Sequence, residues 1–325
     1  GDGFLESNYD ITYVAGDLTV NRRAATIIAS AQEKDYGDVH DLGDTAFTVV
    51  DRDGGALPNG ETVNTVTLVS ENGIDASTTA DAGLYADNIS VTPTSTNDPT
   101  ITGSANFNQE NYTFSYGTGD LTVNRRAAQI IASAQEKDYG DVHDLGDTAF
   151  TVIDRDGGAL PNGETVNTVT LVSKNGIDAS TDADVGTYAD NISVTPTSTN
   201  DSTITGSANF NQENYTFSYG TGDLTVNRRA ITLTANEQEK TYGDQLALDD
   251  TVFTTLDKDG DADLPNGEIV TNVTIKSATG VDASTSSDVA TYADEIEISG
   301  PVAGTDGTGD GFLESNYDIT YVAGD

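Results

Sequence analysis

Short runs rich in Val, Ile, Thr, Tyr and Phe recur along the chain, separated by clusters of Gly, Asn, Asp and Pro. In the first hundred-odd residues the runs are Thr26–Ala31, Phe47–Asp51, Val63–Ser70, Tyr85–Thr92, Thr100–Phe107, Tyr112–Tyr116 and Leu121–Asn124. Runs of this length with turn residues at both ends predict β-strands. The clearest alternation is Tyr112, Phe114, Tyr116 with Thr113 and Ser115 between, which predicts three rings on one core-facing side. Tyr85, Ile89 and Val91 continue the odd-numbered pattern. The one helix candidate surrounds Ala76–Ala82, where Thr and Asp make a weak helix. Seven short strands in about 100 residues predict an all-β module, an immunoglobulin-like sandwich, with a β-grasp-like arrangement as the alternative.

The pattern repeats. Ala24–Arg126 returns as Ala127–Arg229 at an offset of 103, with differences only at Thr26/Gln129, Val50/Ile153, Glu71/Lys174, Thr79/Asp182, Ala82/Val185, Leu84/Thr187 and Pro99/Ser202. A more diverged copy occupies 230–325. The expected organisation is therefore closing strands of a preceding repeat at 1–23, then modules at 24–126, 127–229 and 230–325, the last without its final strand. Tandem copying serves length rather than catalysis, which predicts a linear rod. Residues 1–17 recur as 309–325, which suggests a longer polypeptide repeating at this higher period.

The junctions lack Gly/Ser linkers. Leu121-Thr122-Val123 runs through Asn124-Arg125-Arg126 directly into Ala127. Flexible tethers need Gly/Ser composition, so these joints should be stiff. Arg22 and Arg23, Arg125 and Arg126, and Arg228 and Arg229 supply six of the 14 cationic residues. Cations so placed can brace neighbouring acidic modules through charge-assisted bonds; otherwise they are solvated loop arginines.

Charge narrows the function. With 14 Lys+Arg against 54 Asp+Glu, the net charge is −40. Nucleic-acid binding needs cations to displace phosphate counterions, so it is excluded here; an anionic membrane surface is equally unsuited. No apolar run is long enough to insert in a membrane. Without Cys, no disulfide or thiolate metal site exists.

The same charge favours divalent cations. The loop DRDGGALPNGE, with Asp51 and Asp53 in the first copy and Asp154 and Asp156 in the second, becomes DKDGDADLPNGE in the third. There Asp257, Asp259, Asp261, Asp263 and Glu268 approach an EF-hand spacing of oxygen ligands for Ca2+. Against this, the sixth position is Ala262, Pro265 lies inside and no helices flank the loop. The plain reading is a solvated hairpin loop with Leu-Pro-Asn-Gly as its turn. The cluster Asp178, Asp182, Asp184 and Asp190 is a weaker ligand set. Tyr36-Gly37-Asp38, Tyr139-Gly140-Asp141 and Tyr242-Gly243-Asp244 read as turns with a tyrosine capping the core. Lys34, Lys137 and Lys240 lie beside these turns among polar residues and read as solvated. His40 and His143 correspond to Leu246 in the third copy, which removes histidine as a catalytic base. No catalytic arrangement emerges, and an enzyme is not expected.

The modules open with IIASAQEKDYGD or ITLTANEQEKTYGD, continue with AGLYADNIS, VGTYADNIS or VATYADEIE, and close with NYTFSYGTGDLTV or NYDITYVAGD. In these motifs all three modules resemble the MBG-type ("mostly β, glycine-rich") stalk repeats of bacterial fibrillar adhesins. That resemblance implies an extracellular spacer on a bacterial cell surface, its partners being neighbouring repeats of the same chain, with adhesive tips and anchors elsewhere. The loops here are longer and more acidic than that family's, which leaves room for a metal site. Two other readings remain. One is a self-assembling fibre or biofilm-matrix subunit, in which other copies of the chain are joined by strand donation. The other is a glycan- or protein-binding module, which would need exposed aromatic clusters.

Overall fold

The computed structural model describes residues 3–92, 98–195, 202–303 and 311–324. Gly1, Asp2 and Asp325, at the limits of the expected modules, lie outside the described residues. Strands make up 41% of the chain and no helix reaches seven residues, so the protein is all-β. No helix among the described residues is long and apolar enough to cross a membrane. The chain divides into two compact units, Gly1–Arg126 and Ala127–Asp325. The second unit holds two copies of the repeat.

In the first unit, β1 (Arg23–Ala29), β2 (Gln32–Asp35), β3 (Phe47–Asp51), β4 (Val63–Thr65), β5 (Leu68–Ser70), β6 (Gly83–Val91), β7 (Thr102–Gly103), β8 (Tyr112–Gly117) and β9 (Gly119–Asn124) form two main sheets and a short ribbon. One sheet has the order β3-β1-β8, the other β2-β9-β6-β5, and β4 pairs with β7. Both the opening and closing stretches of the repeat change sheets. β1 lies parallel to β8, and β2 lies parallel to β9. Ile27 and Ala29 from one sheet meet Leu68, Ile89, Val91 and Leu121 from the other in a common core. Ile27, Ile89 and Leu121 are fully enclosed.

The switch from β8 to β9 needs glycine for space. A Cβ at Gly119 would sit 2.6 Å from the Ala29 and Ser30 carbonyl oxygens. A second local device interrupts β6. Tyr85 pairs with Leu121 and Ile89 with Gly119, so two extra residues bulge from β6. Asp87 takes φ 55° there, its N–H donating to Asp120 Oδ1 (2.9 Å) and its carboxylate accepting from Thr118. Tyr85 thus does not continue the alternation of Ile89 and Val91 without a break.

Several expectations change in the fold. The polar strand Gln32–Asp35 carries no apolar pattern and pairs through its backbone with β9. The expected strand Thr100–Phe107 shrinks to Thr102–Gly103, and Ala76–Ala82 forms no helix. Tyr112 is buried and stacks with Phe107 and Phe114, but Tyr116, expected in the same core, is 39% exposed. Lys34 and Lys137, read as solvated, are buried. Lys34 Nζ donates to the carbonyls of Ile74 (2.7 Å), Asp75 (3.1 Å) and Ser77. Burial pushes its pKa down, and the carbonyl cage compensates for lost water. A loop carbonyl cage is invisible to local composition because its members lie some forty positions away.

The second unit repeats this plan with β8 and β9 fused into one strand, Tyr215–Asn227, which joins both sheets. In the third copy Arg229–Ala235 lies between Phe253–Asp257 and Tyr317–Val322, and Val270–Ser277 pairs with Ile296–Ala303. Residues 3–22 of the first unit, in contrast, carry no strand, only a turn at Glu6–Asn8.

Replacing Gly119 with Ala is expected to destabilise the first unit by about 1–3 kcal/mol, because two backbone carbonyls must move. Hydrogen exchange should show loss of protection in β1 and β9 while the core around Ile130 and Leu224 keeps its own.

Candidate functional site: an arginine seam

Asn227 ends one strand and Arg229 begins the next. Strand alternation sends successive side chains to opposite faces, and it divides each arginine pair. Arg22, Arg125 and Arg228 are exposed and make no ion pair among the described residues, whereas Arg126 and Arg229 are 6% exposed.

Arg229 gathers groups from two copies of the repeat. Its Nη1 donates to Asp141 Oδ1 (2.7 Å) and to the Tyr139 carbonyl (3.5 Å) of the second copy. Its Nε and Nη2 donate to Asp257 Oδ2 (3.1 and 2.5 Å), and Nη2 also to Asp259 Oδ2 (2.7 Å), of the third copy. The planar guanidinium suits this division, presenting separate edges to separate acceptors. Lys258 adds a second bridge, from Nζ to Asp138 Oδ2 (2.5 Å) and Asp141 Oδ2 (2.7 Å).

Within the first unit, Arg126 and Arg23 each make contacts of the same kinds. Arg126 Nη1 donates to Asp38 Oδ1 (2.8 Å) and the Tyr36 carbonyl (3.2 Å). Arg23 donates through Nε and Nη2 to Asp51 (2.6 and 2.5 Å) and through Nη2 to Asp53 (2.6 Å). The Arg23 hydrogen bonds hold the Asp51 carboxyl down at about 2. Burial alone would raise Asp257; the bonds from Arg229 and from the Asp259 and Asp261 N–H groups outweigh it and leave its pKa lowered.

Beside the charges runs an apolar joint. The core of the third copy (Ile231, Leu233, Val273, Ile298) continues into the second through Tyr139, Ala183 and Val226. Tyr139 packs edge-on against Tyr317, 5.6 Å between ring centres. Both tyrosine hydroxyls donate to the buried Glu268, one to each carboxylate oxygen. Burial and then Glu268 push the Tyr139 hydroxyl up to about 12. Pro265 covers Gly140 so closely that a Cβ there could not fit. Asn266 donates to the Thr181 carbonyl (2.8 Å), and the Asn316 amide donates to Asp184 Oδ1 (3.1 Å).

The acidic loops read as calcium ligands are thus placed differently from a converging cage. Asp51 and Asp53 face Arg23, and Asp257 and Asp259 face Arg229. The Asp261 N–H donates to Asp257 Oδ1, Asp263 is exposed, and Glu268 lies with the two tyrosines. Asp154 is buried and Asp156 pairs with Arg155 at 3.6 Å. Among the described residues no group of three or more acidic or histidine side chains is arranged to hold a metal ion. Sequence reasoning missed Lys258, Glu268 as a tyrosine acceptor, and Asn266. The signal was available: the third loop keeps Leu-Pro-Asn-Gly-Glu intact although the residues before it diverge. His40 Nε2 lies 2.7 Å from Gln32 Oε1, and His143 Nε2 lies 2.7 Å from Gln135 Oε1.

Comparison with family models, curated proteins and solved structures finds no match to this chain.

Replacing Arg229 with Ala is expected to cost about 3 kcal/mol, because it leaves Asp257 buried without its partner. Acid should mimic this loss. Asp51, Asp141 and Asp257 sit below their ordinary values, so their contribution is present above the ordinary carboxylate range and fades as pH falls. For Asp51 the window runs from its ordinary 3.8 down to about 2. Thermal melts of the wild type should therefore decline across that range, and the Arg229→Ala chain should decline less.

Proposed function

We propose that this chain is a structural spacer: a stalk of tandem β-modules from a long repetitive bacterial surface protein, holding a distal binding region away from the cell. The observation that carries this reading is the joint between the second and third copies, where an apolar core and a buried arginine cross the boundary with no linker residue. Such a joint resists bending, because any hinge opening would expose Tyr139 and separate Arg229 from one of its carboxylates. The proposal extends this stiffness to the whole row of modules, each of immunoglobulin-like sandwich type. Rigidity is assigned to arginine and packed tyrosine, which need no bound ion.

The acidic surface suits the same role. Like charges repel over a Debye length of about 8 Å at physiological salt, which discourages folding back. No catalytic arrangement enters the reading, and its natural partners are adjoining repeats.

Small-angle scattering and electron microscopy of the chain should show one narrow distribution of angles at the joint between the second and third copies. Arg229→Ala with Tyr139→Ala should broaden it. Wild-type particles resembling freely jointed beads would refute the spacer reading.

A further inference from the structure

Lys137 is buried, and its hydrogen-bond acceptors all belong to the second copy. Its Nζ donates to the main-chain carbonyls of Asp141 (3.0 Å), Asp178 (3.3 Å) and Ser180. An ammonium has three donors and no acceptor, so three carbonyls saturate it. The strand that carries it, Gln135–Asp138, is fixed by parallel pairing with Leu224–Asn227. The position of the cation is therefore set by the sheet, and the loops must come to it.

The acceptors sit at two places where the second copy receives the third. Asp141 is shared: its carboxylate accepts from Arg229 and Lys258 of the third copy, while its carbonyl accepts from Lys137. Ser180 is the last residue before a stretch that the third copy contacts throughout. The next carbonyl, Thr181, accepts from Asn266 (2.8 Å), and Ala183 enters the shared core. Asp184 Oδ1 accepts from the Asn316 amide (3.1 Å), and the Val185 N–H donates to Asn316 Oδ1 (3.0 Å). Residues 180–185 carry no strand or helix whose hydrogen bonds could hold them in place. Their anchor lies just upstream, where the Asp178 carbonyl also accepts from the His143 N–H (2.8 Å) and the Ser180 N–H donates to the Gly176 carbonyl (3.0 Å).

We propose that Lys137 is a positioning residue for the joint, the internal cation that holds the Tyr139–Asp141 turn and the Asp178–Val185 loop at the spacing that the third copy engages. A side-chain carboxylate would satisfy the lysine and leave the backbone free, whereas main-chain acceptors fix the backbone itself. Without the ammonium, three buried carbonyls lose their donor and turn toward water. That movement carries the Thr181 carbonyl and the Val185 N–H away from Asn266 and Asn316. A tethered ammonium thus does for this loop what a bound ion does for a loop of oxygen ligands. Lys34 repeats the device in the first copy with the carbonyls of Ile74, Asp75 and Ser77. The inference rests on the joint that carries the spacer reading, but it concerns how the receiving face is shaped rather than how far the chain reaches.

Hydrogen exchange of the full chain tests it. Asp182, Val185 and Thr187 replace Thr79, Ala82 and Leu84, so this loop is read separately from its counterpart in the first copy. Lys137→Met keeps apolar bulk and removes the donors. It should speed exchange of the Val185 N–H at least about tenfold, while the amides of Ile130 and Leu224 keep their protection. Lys34→Met, the same change in the first copy, should leave Val185 unaffected. In a chain that already carries Asn316→Ala, Lys137→Met should add much less at Val185, because the acceptor of that N–H is gone. Should Lys137→Met fail to fold, Lys137→Gln, which retains two donors, is measured in its place with the same ranking of amides expected. An unchanged Val185 in the folded Lys137 variant, an equal rise at Ile130 and Leu224, an equal response to Lys34→Met, or an undiminished effect beside Asn316→Ala would overturn the proposal. Freely jointed particles in micrographs would refute the spacer and leave this exchange result to be judged by itself.

Discussion

The structure depends on one buried guanidinium satisfied from two sides. Arg229 lies in an interior where an unpaired charge would be costly, and its hydrogen-bonding edges are divided between the Tyr-Gly-Asp turn of one repeat and the acidic loop of the next. Neither repeat alone can saturate it. In a chain with 54 acidic residues, that division turns a repulsive boundary into an attractive one. The same cation explains why Asp257 stays ionised inside the protein and why the loop around it holds a fixed shape.

The apolar part of the joint does complementary work. Charge fixes orientation, because the arginine fork accepts few geometries, while Tyr139 and Pro265 fill the space that a hinge would need. Glu268 ties the two layers together by accepting from a tyrosine of each repeat. A boundary built this way behaves as core rather than as linker.

Much of the fold was legible in sequence. Phe47–Asp51, Tyr112–Tyr116 and Leu121–Asn124 were readable because their apolar residues alternate or cluster between turn signals. Gln32–Asp35 was not, because its side chains carry no pattern and only the backbone of Leu121–Asn124 makes it a strand. Tyr116 looked like core by alternation, yet it lies on the edge strand β8 and stays 39% exposed. The seam was half legible: scarce arginines at linker-free junctions marked the place, but adjacent arginines looked equivalent until strand geometry buried one and exposed the other. The acidic loops were read for a metal because spacing records which oxygens are close in the chain and not which cation, protein or ion, they face.

A single stretch separates the two contributions. Residues 1–17 and 309–325 are identical, yet Tyr317–Val322 is a strand with Tyr317 2% exposed, and Tyr9–Val14 is no strand with Tyr9 63% exposed. The amino-acid order determined the all-β class, the repeat and the turns, since these follow from local sterics and periodicity. Whether a given segment became a strand was decided by the tertiary structure, because an extended backbone leaves its hydrogen bonds and one apolar face to be satisfied by another part of the molecule.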